Sequence, residues 1–238
     1  MEKISVLMSV YKNDISEYLN KAIESVLNQT IKPNEIVIVV DGPISIELKD
    51  ILEKYKEKYD IFKIIYLKEN QGLGDALRIG LKYCTYNIVA RMDSDDISVP
   101  NRFEKQVQEF EKDKDLDIVG GQIYEFIDNK ENIICSREVP LENDDIYKYA
   151  KKRCPFNHVT VMFKKDSVLN SGGYLKWYNN EDYYLWIRMM ESKSKFKNVP
   201  EYLVYVRVGN EMYQRRGGIQ YFKSEYRITK VFIQQKDY

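Results

Sequence analysis

The sequence predicts an α/β protein with a mostly parallel sheet flanked by helices, followed by a smaller, irregular region. Two observations carry this prediction. Short apolar runs alternate with amphipathic segments through the first ~110 residues, the pattern of strands joined by crossover helices. The runs are apolar at nearly every position, as expected of strands covered on both faces. With 238 residues, 44% of them hydrophobic, the chain can bury one large core. Repeats, low-complexity tracts and clear linkers are lacking, so residues 1–238 read as a single domain, divided near residue 115.

Ile4 to Val10 is the first strand, closed by Tyr11-Lys12-Asn13-Asp14. Ile15, Tyr18, Leu19, Ala22, Ile23, Val26 and Leu27 then fall on one helical face. Glu35 to Val40 is a second strand, ended by the turn signal Asp41-Gly42-Pro43. A charged amphipathic helix follows over Ile46 to Tyr59, and a third strand over Phe62 to Leu67. Gly72 to Cys84 fits a helix and Asn87 to Met92 a fourth strand. Pro100 suits the first turn of the next helix, which places Phe103, Val107 and Phe110 on one side. Later, Ile118 to Phe126 and Ile133 to Val139 flank a hairpin turn. Val159 to Phe163 reads as a strand, Tyr183 to Met190 as a helix and Leu203 to Val208 as a late strand.

Ligands of open α/β sheets bind beyond the carboxyl ends of the strands. Here those ends carry Tyr11, Asp41, Asn70-Gln71-Gly72 and Asp93-Ser94-Asp95-Asp96, polar groups suited to a nucleotide. Three carboxylates within four residues repel one another unless a positive charge neutralises them. A hard divalent cation would do so and would also bind a diphosphate. The plainer alternative makes Asp95 and Asp96 turn or helix-start residues before Pro100. Asp41 suits a donor base or ribose, or else is an ordinary turn residue. Gly72-Leu73-Gly74-Asp75-Ala76-Leu77 fails as a dinucleotide loop, because Leu77 replaces a small residue and the segment follows the third strand. Its glycines instead let backbone approach the donor or neighbouring loops. Arg78 and Arg91 could each meet phosphate or serve as structural cations.

A second constellation is Glu181-Asp182 at the start of a helix. A sugar hydroxyl needs a base to become a good nucleophile, and one of two adjacent acids could serve while the other orients. Stabilisation of the helix dipole is the competing account. Trp186 could line an acceptor site or fill the core. Trp177 and Tyr178, in the preceding loop, are better placed to stack on a sugar. His158 is the single histidine and favours a structural role, which excludes a histidine-rich metal site. With no Gly-x-Ser-x-Gly elbow, a Ser-His-Asp hydrolase is disfavoured. Arg215-Arg216-Gly217-Gly218 reads as a flexible phosphate clamp or as part of a solvated basic tail.

Composition narrows the partners. The 37 basic and 37 acidic residues cancel, which argues against a nucleic-acid partner. Three scattered cysteines suggest a reducing, cytoplasmic setting. The start of the chain lacks a signal-peptide pattern, and no stretch approaches ~18 uncharged apolar residues, so membrane contact is expected to be peripheral.

Ser9-Val10-Tyr11-Lys12, Val40-Asp41-Gly42, Asn70-Gln71-Gly72-Leu73, Arg91-Met92-Asp93-Ser94-Asp95-Asp96 with Pro100 and Arg102, and Glu181-Asp182-Tyr183-x-Leu-Trp form an ordered set. That set closely resembles family-2 glycosyltransferases from Ile4 to about Glu225. The Asn157-His158-x-Thr160 and Arg215-Arg216-Gly217-Gly218 segments resemble the bacterial subgroup that builds capsule, exopolysaccharide and lipopolysaccharide. The resemblance implies a GT-A fold and an inverting transfer, usually with Mn²⁺ or Mg²⁺, from a nucleotide sugar such as a UDP-hexose. It places Tyr11 and Asp41 at the donor nucleoside and Asp93 and Asp95 at the metal, and makes Asp182 the base with Glu181 as an acceptor or orienting group. Beside it, the reading of the residues themselves expects Val10, Arg78, Asp93, Ser94, Arg215 and Arg216 at the donor and Trp177, Tyr178, Trp186 and His158 near a saccharide acceptor, expected to be carried on a lipid diphosphate at the inner membrane face. The Gln-x-x-Arg-Trp motif of processive synthases is absent, which favours single addition. A sugar nucleotidyltransferase would carry a glycine-rich loop after the first strand, where Tyr11-Lys12-Asn13-Asp14 stands. A non-catalytic saccharide-binding protein on the same fold is the remaining rival.

Overall fold

The computed structural model describes residues 2–177, 180–209, 223, 224, 226–228 and 230. Strands β1 (Ile4–Val10), β2 (Glu35–Val40), β3 (Phe62–Tyr66) and β4 (Ile88–Arg91) lie parallel in the order β3-β2-β1-β4. They are joined by helices α1 (Ser16–Leu27), α2 (Ile46–Lys58) and α3 (Leu73–Tyr83). Strand order reverses between β1 and β4, which makes that crevice the expected ligand position. Val10 pairs with Val40 and Val40 with Tyr66, so their carboxyl ends lie level. Leu7 pairs with Arg91, which brings Asp93 alongside the end of β1.

The second half extends the same sheet. β5 (Ile97–Ser98) and α4 (Arg102–Lys112) precede the long strand β6 (Leu116–Phe126), whose hairpin partner is β7 (Ile133–Arg137). After α5 (Asn143–Tyr149), β8 (Met162–Lys164) inserts antiparallel between β4 and β6. α6 (Lys165–Asn170) and α7 (Glu181–Glu191) lead to β9 (Lys195–Arg207), parallel to β6 and antiparallel to β5. The whole is a mixed α/β fold whose parallel character resides mainly in its first four strands.

Both faces of the sheet are covered, as the uniformly apolar strands require. In β1, Ile4, Val6, Met8 and Val10 point into a core with Leu19 and Ile23 of α1 and Phe103 and Val107 of α4. Leu7 points to the opposite face, into a second core shared with Leu77 and Leu81 of α3 and Trp186 of α7.

Several expectations change. The strand expected from Val159 begins instead at Met162, because His158–Thr160 forms one 3-10 turn in which both the N–H and the hydroxyl of Thr160 donate to Asn157 O at 2.8 Å. Pro100 lies upstream of the helix that it was expected to open, since α4 starts at Arg102. The late strand begins earlier, at Lys195. Between the pairs Gly120↔Asn198 and Gln122↔Tyr202, β9 carries two more residues than β6, and Pro200 sits in that irregularity, where its missing N–H breaks no ladder bond.

Candidate active site

The acidic loop after β4 rests on two buried guanidinium groups. Arg91, 2% exposed, holds both carboxylate oxygens of Asp93. Burial works against the Arg91 charge, but Asp93 more than offsets it and raises its pKa. Arg102, fully buried, donates to Arg91 O at 2.7 Å and to Gln106 Oε1 at 3.1 Å. Burial and the nearby Arg91 push its pKa down to about 9. One side-chain oxygen each from Asp93, Asp95 and Asp96 lie within 4.8 Å of one another. Burial, with Asp95 and Asp93 adding to it, holds the Asp96 carboxyl well above its usual range. A hard all-oxygen donor set of three carboxylates fits Mg²⁺ or Mn²⁺. Asp96 thus lies with the expected pair Asp93 and Asp95, in the cluster of three carboxylates that the sequence offered either to a cation or, for Asp95 and Asp96, to a turn.

The loop after β1 adjoins this motif. Asp14 Oδ2 accepts from Tyr11 N at 3.0 Å and from Ser94 Oγ at 2.8 Å. Burial pushes the Asp14 carboxyl up to about 7; Asp95 and Asp93 add to this, whereas the bonds from Tyr11 and Ser94 oppose it. The sequence marked Asp14 only as part of a loop, because its partner Ser94 is 80 positions away. Val10 is fully buried, and its carbonyl accepts from Asp41 N at 2.7 Å.

Asp41 is 3% exposed, and both of its carboxylate oxygens grip the next loop. Oδ1 accepts from Gln71 N at 2.7 Å; Oδ2 accepts from Gly72 N at 2.9 Å and from Asn70 Nδ2 at 3.0 Å. Asp41 is therefore first a loop anchor. Gly42 permits this approach: its φ is +87°, and a β-carbon there would stand 2.6 Å from Asn70 N. Arg78, expected near phosphate, is tied to Asp75 Oδ1 on its own helix, at 3.0 Å from Nε and 2.8 Å from Nη2.

On the other side, α7 opens with Glu181 and Asp182. A β-carbon on Gly74 would lie 3.2 Å from Glu181 Cβ, so the glycine lets the first turns of α3 and α7 meet. Burial, then Asp182, pushes the Glu181 carboxyl up to about 7 from 4.5; Asp93 adds to the rise and Arg91 opposes it. A helix start favours an anion by about 0.3–1 kcal/mol, too little to overcome these effects. Cys154 Sγ lies 3.7 Å from Asp182 Oδ2. Tyr174, fully buried, also feels Arg91, Asp182, Glu181 and Asp93. The acidic loop and the start of α7 thus share one electrostatic neighbourhood.

Two acceptor-side expectations, Trp186 and His158, need correction. Trp186 is a core residue: it is fully buried, with Phe156 at 5.5 Å and His158 at 5.9 Å between ring centroids. His158 bonds Tyr174 Oη at 2.9 Å, and burial together with Arg91 holds its pKa well below 6.5, which gives a neutral structural imidazole. Trp177 donates to Ser224 Oγ at 3.0 Å and packs 4.4 Å from the Tyr184 ring, so its N–H is committed and one face is covered. Tyr178, Arg215 and Arg216 lie outside the described residues.

Comparison with known proteins gives the family. The family model for glycosyl transferase family 2 matches residues 5–172. The amylovoran biosynthesis glycosyltransferase AmsE of Erwinia amylovora is 40% identical over 98% of this chain and 86% of its own length. A UDP-Gal:α-D-GlcNAc-diphosphoundecaprenol β-1,3-galactosyltransferase of Escherichia coli is 38% identical over 94% of this chain and 80% of its own. The structure of S. aureus TarS with UDP-GlcNAc superposes with a TM-score of 0.73 at 17% identity, over 97% of this chain and 66% of that longer one, and shares the GT-A fold. On the family match and these two bacterial relatives, the chain belongs to the family-2 glycosyltransferases of bacterial surface-polysaccharide synthesis.

Proposed function

We propose that this glycosyltransferase moves a hexose or N-acetylhexosamine from a UDP-sugar to a hydroxyl of a lipid-diphosphate-linked saccharide, with inversion at the anomeric carbon. The observation that carries this reading is the cluster of Asp93, Asp95 and Asp96 braced by Arg91, whose charges also act on Glu181 at the start of α7. It joins a polyphosphate-compatible motif to a pair of carboxyl groups able to handle an acceptor proton. The E. coli relative, named for a diphosphoundecaprenol acceptor and a UDP-Gal donor, supports the substrate class.

In this reading the nucleoside lies against the loops after β1 and β2, which Asp14 and Asp41 brace. Asp93, Asp95 and Asp96 would hold Mg²⁺ or Mn²⁺, which when bound neutralises the negative charge of a diphosphate. Arg91 holds both carboxylate oxygens of Asp93 and so fixes it in place. Asp182 takes the proton of the acceptor hydroxyl as its oxygen attacks the anomeric carbon from the face opposite the leaving diphosphate. An α-linked donor therefore gives a β-linked product. Glu181, whose carboxyl titrates near neutrality, holds a sugar hydroxyl in line with Asp182. Arg215 and Arg216 meet the departing diphosphate. The enzyme works at the inner membrane face through peripheral contact; among the described residues no helix is long and apolar enough to cross a membrane.

The test is a panel of nucleotide sugars offered with diphosphoundecaprenol-linked saccharides, with and without Mn²⁺ or Mg²⁺. Nucleoside diphosphate release coupled to a β-linked product supports the reading. Retention of the α-configuration, or an indifference of binding to every activated sugar, overturns it.

A further inference from the structure

The loops after β1 and β4 leave the sheet side by side and carry two different duties in the proposed site. The first faces the nucleoside and the second carries the cation-binding acids. The ladder between these strands reaches as far as Met92 N donating to Leu7 O at 3.1 Å. The strand β4 ends at Arg91, whereas β1 runs on to Val10. Asp14 joins the two loops. Its Oδ2 accepts from Tyr11 N at 3.0 Å and from Ser94 Oγ at 2.8 Å, and its own N–H donates to Tyr11 O at 3.1 Å. One carboxylate oxygen therefore closes the turn after β1 and fastens it to Ser94, the residue between Asp93 and Asp95.

We infer that Asp14 is a positioning residue that sets the spacing between the nucleoside loop and the acidic motif, and so matches the site to a nucleoside diphosphate. This inference rests on the reading of the site as a nucleotide-sugar site. The requirement is geometric. A nucleoside and its diphosphate are covalently joined, which limits the distance between them, and a site half fixed on each loop binds more tightly when the loops are held within that distance before the ligand arrives. Both side-chain bonds at Asp14 use an oxygen as acceptor, and neither needs its charge. The amide oxygen of asparagine can accept the same two bonds, whereas alanine accepts neither.

The experiment compares Asp14→Ala and Asp14→Asn with wild type by calorimetric titration with UDP, by donor kinetics and by amide hydrogen exchange without ligand. Asp14→Ala should weaken UDP binding and raise the donor KM about tenfold or more while kcat falls less than threefold or so, and Asp14→Asn should recover most of that loss. Exchange should quicken at the Tyr11 amide and in the Asp93–Asp95 segment in the alanine variant and return toward wild type in the asparagine variant. Wild-type UDP affinity in Asp14→Ala, or an asparagine variant as impaired as the alanine one, overturns the inference. Should wild type itself bind no nucleotide, the reading of the site fails first. The exchange data then decide the role of Asp14, and unchanged protection in Asp14→Ala removes it.

Discussion

The main-chain N–H of Arg207 donates to Asp96 Oδ1 at 2.8 Å, fastening the end of β9 to the acidic loop across 111 positions of sequence. The Arg207 side chain reinforces the joint. Its guanidinium lies 3.7 Å from the Tyr18 ring centroid and 4.5 Å from that of Phe126, and it donates to Asp95 O at 3.2 Å and to Asp128 O at 2.8 Å. Lysine cannot fill both ring faces and reach two carbonyls at once. Arg207→Lys should therefore weaken Mn²⁺ binding about tenfold and destabilise the protein by about 1–2 kcal/mol, measured by metal titration and urea unfolding.

Asp96 itself gives a prediction with opposite signs in two conditions. In the metal-free protein its carboxyl is buried near Asp95 and Asp93, and those groups hold its pKa up. Asp96→Asn removes that repulsion while leaving an oxygen for Arg207 N. The metal-free variant should melt at or above the wild-type temperature, yet should lose most of the stabilisation that Mn²⁺ gives the wild type. Thermal melts with and without Mn²⁺ check both halves.

How much of this could be read in the chain depends on whether the partners are local. β1, β2 and α1 announce themselves through runs such as Ile4–Val10 and the Leu19, Ala22, Ile23, Val26 face. The acids after β4 were visible for the same reason, since three of them lie within four residues. β5 was not, because two residues make no pattern and the strand exists only through its pairing of Ile97 with Tyr205. α5 and α6 are too short to show helical periodicity. Asp14, Tyr174 and Arg207 gain their roles from groups distant in sequence, and no spacing rule finds them. Trp186 illustrates the reverse error. It sits one turn beyond Asp182, but its ring is fully buried against Phe156 and His158.

That correction has a direct test. Trp186→Ala should cost about 3–5 kcal/mol in urea unfolding, as expected for loss of a buried indole. Trp186→Phe should cost less and leave the acceptor KM of the folded fraction within about twofold of wild type. An acceptor KM that rises about tenfold in Trp186→Phe would return Trp186 to the acceptor site.

Glu181 links the site to pH. Its carboxyl holds its proton more tightly in the folded protein, where it titrates near 7, than at the ordinary 4.5. The resulting stabilisation is complete below about 4.5 and is lost as pH rises through about 7. Glu181→Gln cannot ionise and keeps none of this dependence. Metal-free urea unfolding at about pH 5 and about pH 8 should show wild type losing stability relative to Glu181→Gln at the higher pH. Equal pH slopes for the two proteins would place the Glu181 carboxyl in open water.

The proposed base separates binding from chemistry. Asp182 lies beside Cys154, and the Asp14 and Asp41 carboxylates accept from Tyr11, Ser94, Asn70, Gln71 and Gly72. Asp182→Asn keeps the size and an oxygen acceptor but cannot take a proton at neutral pH. It should lower kcat by about 10²–10⁴ while UDP affinity and the donor KM stay within about threefold. Slow hydrolysis of the donor by water should survive better than transfer, because that side reaction does not depend on deprotonating the saccharide hydroxyl. If Asp182→Asn transfers at the wild-type rate and Glu181→Gln does not, the proton goes to Glu181, and the two carboxyl groups exchange roles on the same first turn of α7.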